Sequence, residues 1–227
     1  MILQLIISSI VAGSIYALMG LAMSITYKAS EIPNFAQGEM GMVSTYITFV
    51  ALSSFGMSFL PALFFTLLFA FLLGVFLEFA FIRRAKNPTP LSFIIITIGF
   101  QLMLYGFAGW KWGADQRRLD LPFSETKTII QAGDVTISEL NLATVAIAIL
   151  MMGGIYLLLN KTKLGLAMKA SQQNEKAAQI NGISTKRILA ISFGISSMVG
   201  AIAGILVAPI ITLDPSMMWD PLLKGFA

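Results

Sequence analysis

The chain contains no cysteine. That excludes a disulfide framework, a thiol nucleophile and a cysteine-ligated zinc. It contains no histidine either, so the commonest metal ligand and the usual general base are missing. Charge is scarce, at 11% of residues, where an ordinary soluble domain carries about 25%. Together with 57% apolar residues, this excludes an ordinary soluble domain and a disordered one. The net charge of +4 is small and dispersed. It suits a membrane protein with basic loops rather than a nucleic-acid binder. There is no G-x-x-x-x-G-K-S/T phosphate loop, so ATP-driven work would have to come from another polypeptide.

Long uncharged runs are what the sequence does have. Crossing the hydrocarbon core takes roughly 20 apolar residues. The stretch from Met1 to Tyr27 carries no side-chain charge and no basic flank before it, so it reads as a retained first helix. The run between Glu39 and Glu78 would be about 57 Å long as one straight helix, nearly two core thicknesses. Ser53, Ser54, Gly56 and Pro61 mark a turn within it. Further runs cover 87–110, 140–160 and 188–213. The expectation is an all-α, polytopic transmembrane helical bundle with six crossings, forming one domain over 1–227.

Orientation follows from the basic residues. One set of loops holds Lys28, then Arg83, Arg84 and Lys86, then Lys161, Lys163, Lys169, Lys176, Lys186 and Arg187. The opposite set holds Lys111, Arg117, Arg118, Lys127 and Lys224. The bias puts the first set in the cytoplasm and the N-terminus outside. Trp110, Trp112 and Trp219 fall at span ends on the outer side, as interfacial aromatics do.

On the outer side, Thr128–Ile130 and Val135–Ile137 flank Gln131-Ala132-Gly133-Asp134, the pattern of a small β-hairpin. It would serve as a lid over the helix ends or as a docking surface. Pro88 and Pro90 set up the fourth helix. For the second helix to cross, it has to begin near Pro33 or Asn34, with Pro33 at a first helical position. Asn34, Gln37, Gly38 and Glu39 then lie in the membrane or at its inner edge. Polar groups at that depth have to face protein or water. Two readings stand: part of a solute path, or Glu39 sitting with Lys28 and Glu31 at the headgroups. Glu78 has Arg83 and Arg84 within reach for a local ion pair. Gln101 can line a path or bond a neighbouring helix.

The sixth helix has small residues at every fourth position: Ser192, Ser196, Gly200, Gly204 and Ala208. Such a stripe permits close helix approach, inside one bundle or between subunits. The first helix has a similar set in Gly13, Ala17, Gly20 and Ser24. In the fifth loop, Ser171 can cap a short helix and Gly182 can end it. Ala177, Ala178 and Ile180 give that helix a small, flat apolar face, suited to receiving force from a soluble partner.

Read together, Gly13–Leu18 with Asn34–Glu39, then Thr97-Ile98-Gly99, then Leu164–Ala170 with Ala177-Ala178 and Gly182-Ile183, resemble the permease subunits of branched-chain amino acid ATP-binding-cassette importers. The resemblance covers essentially the whole chain. It implies an inner-membrane permease that is not itself an enzyme and needs no cofactor or metal of its own. Its implied partners are a second permease subunit, ATP-binding subunits, a periplasmic substrate-binding protein and membrane lipid. It further implies a translocation path at Asn34, Phe35, Gln37, Gly38, Glu39, Thr97 and Gly99. The ATPase coupling loop falls at Glu175, Ala177, Ala178, Ile180 and Gly182. Two positions depart from the family pattern: Lys176 stands where Glu often precedes the two alanines, and Gln37 where His is common. Family members usually run on past the position matching Ala227, so the chain is expected to be C-terminally incomplete. Related permeases move urea or short amides, which is the alternative substrate class. An ion-coupled secondary transporter is the alternative mechanism. An intramembrane enzyme would need paired acids, or a Ser and a Lys, at one depth.

Overall fold

The computed structural model describes residues 2–85, 89–123, 128–132 and 135–227. Lys86, Pro88, Lys127 and the hairpin residues Gly133 and Asp134 lie outside the described residues. In chain order the elements are α1 (Ile2–Ser30), α2 (Gln37–Ser53), α3 (Phe59–Leu77), α4 (Pro90–Trp112), the strands β1 (Thr128–Ala132) and β2 (Val135–Ser138), α5 (Glu139–Lys161), α6 (Lys163–Gln173), α7 (Glu175–Ile180), α8 (Thr185–Ile211) and α9 (Trp219–Phe226).

Among the described residues, five helices are long and apolar enough to cross a membrane: α1, α3 with the turn that follows it, α4, α5 and α8. The expected sixth, α2, has 17 residues, about 26 Å, short of the roughly 30 Å core. It does not begin at Pro33. The Asn34 side chain accepts from the Ala36 amide at 3.1 Å, and this local turn holds the chain out of helix until Gln37.

α8 is the post around which the bundle is built. In its most apolar window 67% of residues are buried, against 17% for α5. The reason is side-chain size. A Cβ on Gly200 would run into the Gln37 amide, and one on Gly204 would meet the Gly41 carbonyl at 2.9 Å. Small residues therefore let α2 and α8 approach backbone to backbone, which is how helices associate in lipid. Ser192, Ser196, Gly200, Gly204 and Ala208 are all buried within this one chain. Of the two uses open to that stripe, it serves packing inside the bundle. The α1 set differs: Gly13, Ala17 and Ser24 are exposed.

Caps and turns fall where local chemistry favours them. Thr89 caps α4 by accepting from the Ser92 amide at 3.2 Å, with Pro90 at the first helical position. A cap of this kind contributes about 1 kcal/mol. α3 ends in a π-helical turn, Glu78–Ile82. It brings Arg83 back onto Glu78 in a two-bond ion pair at 3.0 and 2.7 Å, so the acid is satisfied although buried.

The two strands pair antiparallel. The hairpin sits on the side of α1's N-terminus, where the Gln4 side chain donates to the Thr136 carbonyl at 3.1 Å and accepts from its amide at 3.0 Å. Nearby, Arg117 and Leu213 exchange backbone hydrogen bonds at 3.0 and 2.8 Å. The Arg117 side chain also donates to the Trp112 carbonyl at the end of α4. A cation on the wrong side of the charge bias is thus accounted for by a helix C-terminus. Of the three tryptophans, Trp110 is 80% exposed and Trp219 49% exposed, as an interfacial aromatic would be. Trp112 stacks on the buried Tyr46 at 4.5 Å. The Trp219 indole N–H also donates to a carboxylate.

Candidate functional site

Depth within the bundle decides what the residues before and within α2 can do. Gln37 packs at the level of Ser196 and Gly200. Ser196 lies about 17 Å along α8 from Thr185 and about 23 Å from Ile211, at 1.5 Å per residue. α2 therefore starts partway along the bundle and runs toward the end that carries the hairpin. The segment 31–36 returns from the C-terminal end of α1 to that level as bends and turns rather than helix. Irregular backbone at such depth is tolerated only where protein or a cavity surrounds it.

Two polar clusters satisfy this region. In the first, the Gln37 amide nitrogen donates to the Ser196 carbonyl at 2.9 Å. Its oxygen accepts from Asn34 Nδ2 at 3.2 Å and from the Ser196 hydroxyl at 2.9 Å. The Ser196 hydroxyl, with one proton for two acceptors, also reaches the Ala22 carbonyl at 2.7 Å. The Gln37 amide joins α2 to α8, the Ser196 hydroxyl joins α8 to α1, and Gly200 leaves the room for the amide. In the second, Glu39 Oε1 accepts from Gln101 Nε2 at 3.0 Å and from the Trp219 indole at 3.1 Å. The other oxygen, Oε2, is buried with no protein partner, and Glu39 is 1% exposed. Glu39 is therefore an interior group of the bundle, not a headgroup-layer one.

The remaining path residues divide. Phe35 is half-buried, its ring 6.0 Å from that of Phe226. Gly38 lies under Met218 and Leu222 of the α9 region. Thr97 is buried one turn below Gln101, but its hydroxyl donates to the Ile94 carbonyl of its own helix. Gly99 is exposed, with open space where a Cβ would stand. The structure thus gathers Asn34, Gln37 and Glu39 with Gln101, Ser196 and Trp219, and leaves Gly99 outside.

On the opposite side from the hairpin, α6 and α7 form the loop between α5 and α8. Ser171 lies inside α6 and caps nothing; Asn174 is the cap, accepting from the Ala177 amide at 2.9 Å. Glu175 accepts from the Thr185 hydroxyl and from Gln179 Nε2, both at 3.1 Å, which ties the start of α7 to the start of α8. Ala178 is buried, Ala177 exposed, and Ile180 is 85% exposed at the tip. Gly182 ends the helix in the left-handed region, at φ 81°, where a side chain would be strained. The Ile183 amide then closes on the Ala178 carbonyl at 3.0 Å.

Residues 5–227 match the family described as branched-chain amino acid transport system / permease component. The chain belongs to this family. Among curated relatives of this permease component, the high-affinity branched-chain amino acid transport system permease protein BraD of Pseudomonas aeruginosa is 25% identical over 214 residues, 90% of this chain and 70% of that one. The probable branched-chain amino acid transport permease protein LivH of Methanocaldococcus jannaschii is 28% identical over 204 residues, 86% of this chain and 63% of that one. LivH of Escherichia coli K12, a high-affinity permease protein of the same name class, is 23% identical over 214 residues. The chain spans 63% to 70% of the length of these relatives. No solved structure matches it.

Three residues of this permease component's polar clusters are not placed with Glu39 and Gln37 by sequence alone. Ser196 reads there only as a small residue in a packing stripe. Trp219 reads as an interfacial aromatic. Gln101 leaves two uses open, and the structure selects the bond to a neighbouring helix. A polar side chain at the centre of an apolar run was the available signal for Gln101 and Ser196; Trp219 offered none.

Proposed function

We propose that this chain is the membrane-spanning permease subunit of an ATP-driven importer for branched-chain or related amino acids, in a bacterial inner membrane. The observation that carries the reading is α2 starting at membrane depth, with Gln37 bonded to Asn34 and α8 and Glu39 bonded to α4 and Trp219. Helix ends and ionisable groups at that depth are the parts from which solute paths are built. The path runs past this belt. The solute class comes from what the relatives' names say they move. ATP is bound and hydrolysed on separate subunits that dock on α6 and α7, with the exposed Ile180 as the apolar contact. A second permease subunit completes the pore, and an external binding protein delivers solute to the hairpin side.

The deciding experiment is uptake of labelled leucine in cells with and without the gene, its neighbours intact, with valine, isoleucine and urea as competitors. Loss of leucine uptake that valine and isoleucine compete for supports the reading. Loss of urea uptake alone keeps the importer and changes the solute. Uptake that survives ATP depletion but collapses with the ion gradient replaces it with a secondary transporter. For coupling, bulky residues at Ala178 and Gly182 are expected to abolish solute-stimulated ATP hydrolysis in an assembled complex. Unchanged stimulation would remove α7 from the coupling role.

A further inference from the structure

The outer surfaces of α3 and α5 expose Phe64, Leu68 and Leu72 on one helix and Ile149, Leu150 and Leu157 on the other. Lipid suits both. Between the two helices runs a furrow of about 270 Å³ with an entirely apolar lining. Phe59 and Leu63 of α3 form one wall, Ile147 and Met151 of α5 the other, and Ile202 and Leu206 of α8 the floor. Toward the hairpin end lies a second cavity, of about 490 Å³, and Leu121 and Phe123 border both. Where the two meet, the Phe59 and Phe123 rings stand edge to face at 6.1 Å.

The second cavity differs in kind, because Arg118, Asp120 and Thr212 border it. Neither charged side chain makes an ion pair or a hydrogen bond among the described residues. Arg117, one residue earlier, is engaged by the Trp112 carbonyl and lies over the Phe49 ring. The Thr212 hydroxyl is buried and has no hydrogen-bond partner in the protein. Such a group calls for a ligand or a water. From Ile202 to Thr212 is about 15 Å along α8, half of a hydrocarbon core of roughly 30 Å. An apolar furrow one leaflet long, opening onto two free and opposite charges, has the shape and charge of a phospholipid. Both charges are answered by a zwitterionic headgroup, its phosphate on Arg118 and its ammonium on Asp120. A headgroup with a phosphate and no amine sets its charge near Asp120 with nothing to offset it.

We propose that the α3–α5 furrow and the Arg118 cavity together hold one zwitterionic phospholipid of the leaflet on the hairpin side, an acyl chain in the furrow and the headgroup between Arg118 and Asp120. The site is separate from the Glu39 belt and independent of which solute is carried. The test uses the protein purified from its membrane in mild detergent together with its partner subunits. Native mass spectrometry reads the binding of phosphatidylethanolamine and phosphatidylglycerol with identical acyl chains. One phosphatidylethanolamine per chain is expected to bind at least about tenfold more tightly than phosphatidylglycerol. Arg118→Gln should weaken phosphatidylethanolamine about tenfold, and Asp120→Asn should bring the two lipids within about twofold of each other. Both residues are exposed, so neither exchange threatens the fold. Met151→Trp fills the furrow from its α5 wall and should weaken binding about tenfold with the headgroup residues intact. Leu102→Trp, on the exposed surface of α4, should leave it unchanged.

Equal affinity for the two lipids overturns the proposal. So does phosphatidylethanolamine binding that neither Arg118→Gln nor Met151→Trp moves, since the lipid is then only the unselective layer around the bundle. Glycerophosphoethanolamine, the same headgroup without acyl chains, and inorganic phosphate are the further arms. Neither is expected to displace the lipid. Displacement by either at the concentrations that suffice for the lipid makes the furrow irrelevant and assigns the cavity to a free phosphate. The cysteine-free background allows one more check. Leu150 borders the furrow, and a photoactivatable reagent on Leu150→Cys should label lipid in the native membrane. A cross-link to a second polypeptide in place of lipid would show that protein covers the furrow, and the proposal falls.

Discussion

The α2–α8 seam and the outer surface of α5 are both built from apolar sequence, yet they follow opposite rules. In the seam, glycine and serine recur at every fourth residue of α8, and buried amides and hydroxyls fill the narrow gap. On α5, Leu142, Ile149, Leu150 and Leu157 stand exposed, with only 17% of the most apolar window buried. In lipid, hydrophobicity gives no preference for the protein interior, because the solvent is as apolar as the side chains. What distinguishes the interior is small size and polarity. The seam is where this chain holds polar groups at depth, and it is able to because small residues bring carbonyls and amides within reach of one another.

Substitutions can break this contrast, and the largest effect is expected at its tightest point. Gly200→Leu puts a side chain where the Gln37 amide lies. Overpacking there should cost about 3 kcal/mol or more. The expected result is no monodisperse complex on size exclusion in detergent; normal assembly would mean that the seam is not close-packed. Gln37→Ala leaves the Ser196 carbonyl without that donor and removes the side-chain link between α2 and α8. It should cost about 2–3 kcal/mol, read as a lower melting temperature in detergent. Glu39→Gln keeps an acceptor for Gln101 and Trp219 while removing the charge. Uptake should fall about tenfold, roughly 1.4 kcal/mol, with little change in melting. Equal uptake would show that the interior charge is dispensable. Leu150→Ala, on the opposite surface, should change melting by about 0.5 kcal/mol at most and leave uptake untouched. A large effect there would place α5 against protein.

Much of the fold is legible in the residues because a hydrocarbon core imposes a length on anything that crosses it. The runs behind α1, α3, α4, α5 and α8 are uncharged for the required distance, and Gly182 stops α7 because few other residues take its backbone conformation. The short α2 is not legible in the same way. Its flanks are uncharged on one side only, and whether Pro33 opens a helix or lies before it turns on one Asn34 side chain finding the Ala36 amide. The candidate site is harder still. Asn34, Gln37 and Glu39 are conspicuous as polar residues in an apolar setting. Their partners come from far along the chain, and no local pattern joins Glu39 to Trp219 or Gln37 to Ser196. Gly99 is a case of the converse, a residue that accompanies Thr97 in sequence but lies on another face of α4.

The π-helical turn at Glu78–Ile82 acts as a phase shift. Along α3 the buried positions recur as Ala62, Thr66, Ala70 and Gly74, then move to Leu77, Glu78 and Ile82. One additional residue in the turn rotates everything after it by about 100° relative to an uninterrupted α-helix. Deleting one residue from that turn would put Glu78 and Arg83 at the i,i+4 spacing of an α-helix, where the ion pair still forms. The carboxylate would keep its partner, and what would be lost is the register of everything beyond the turn, the Arg83 contact with the Lys186 carbonyl included.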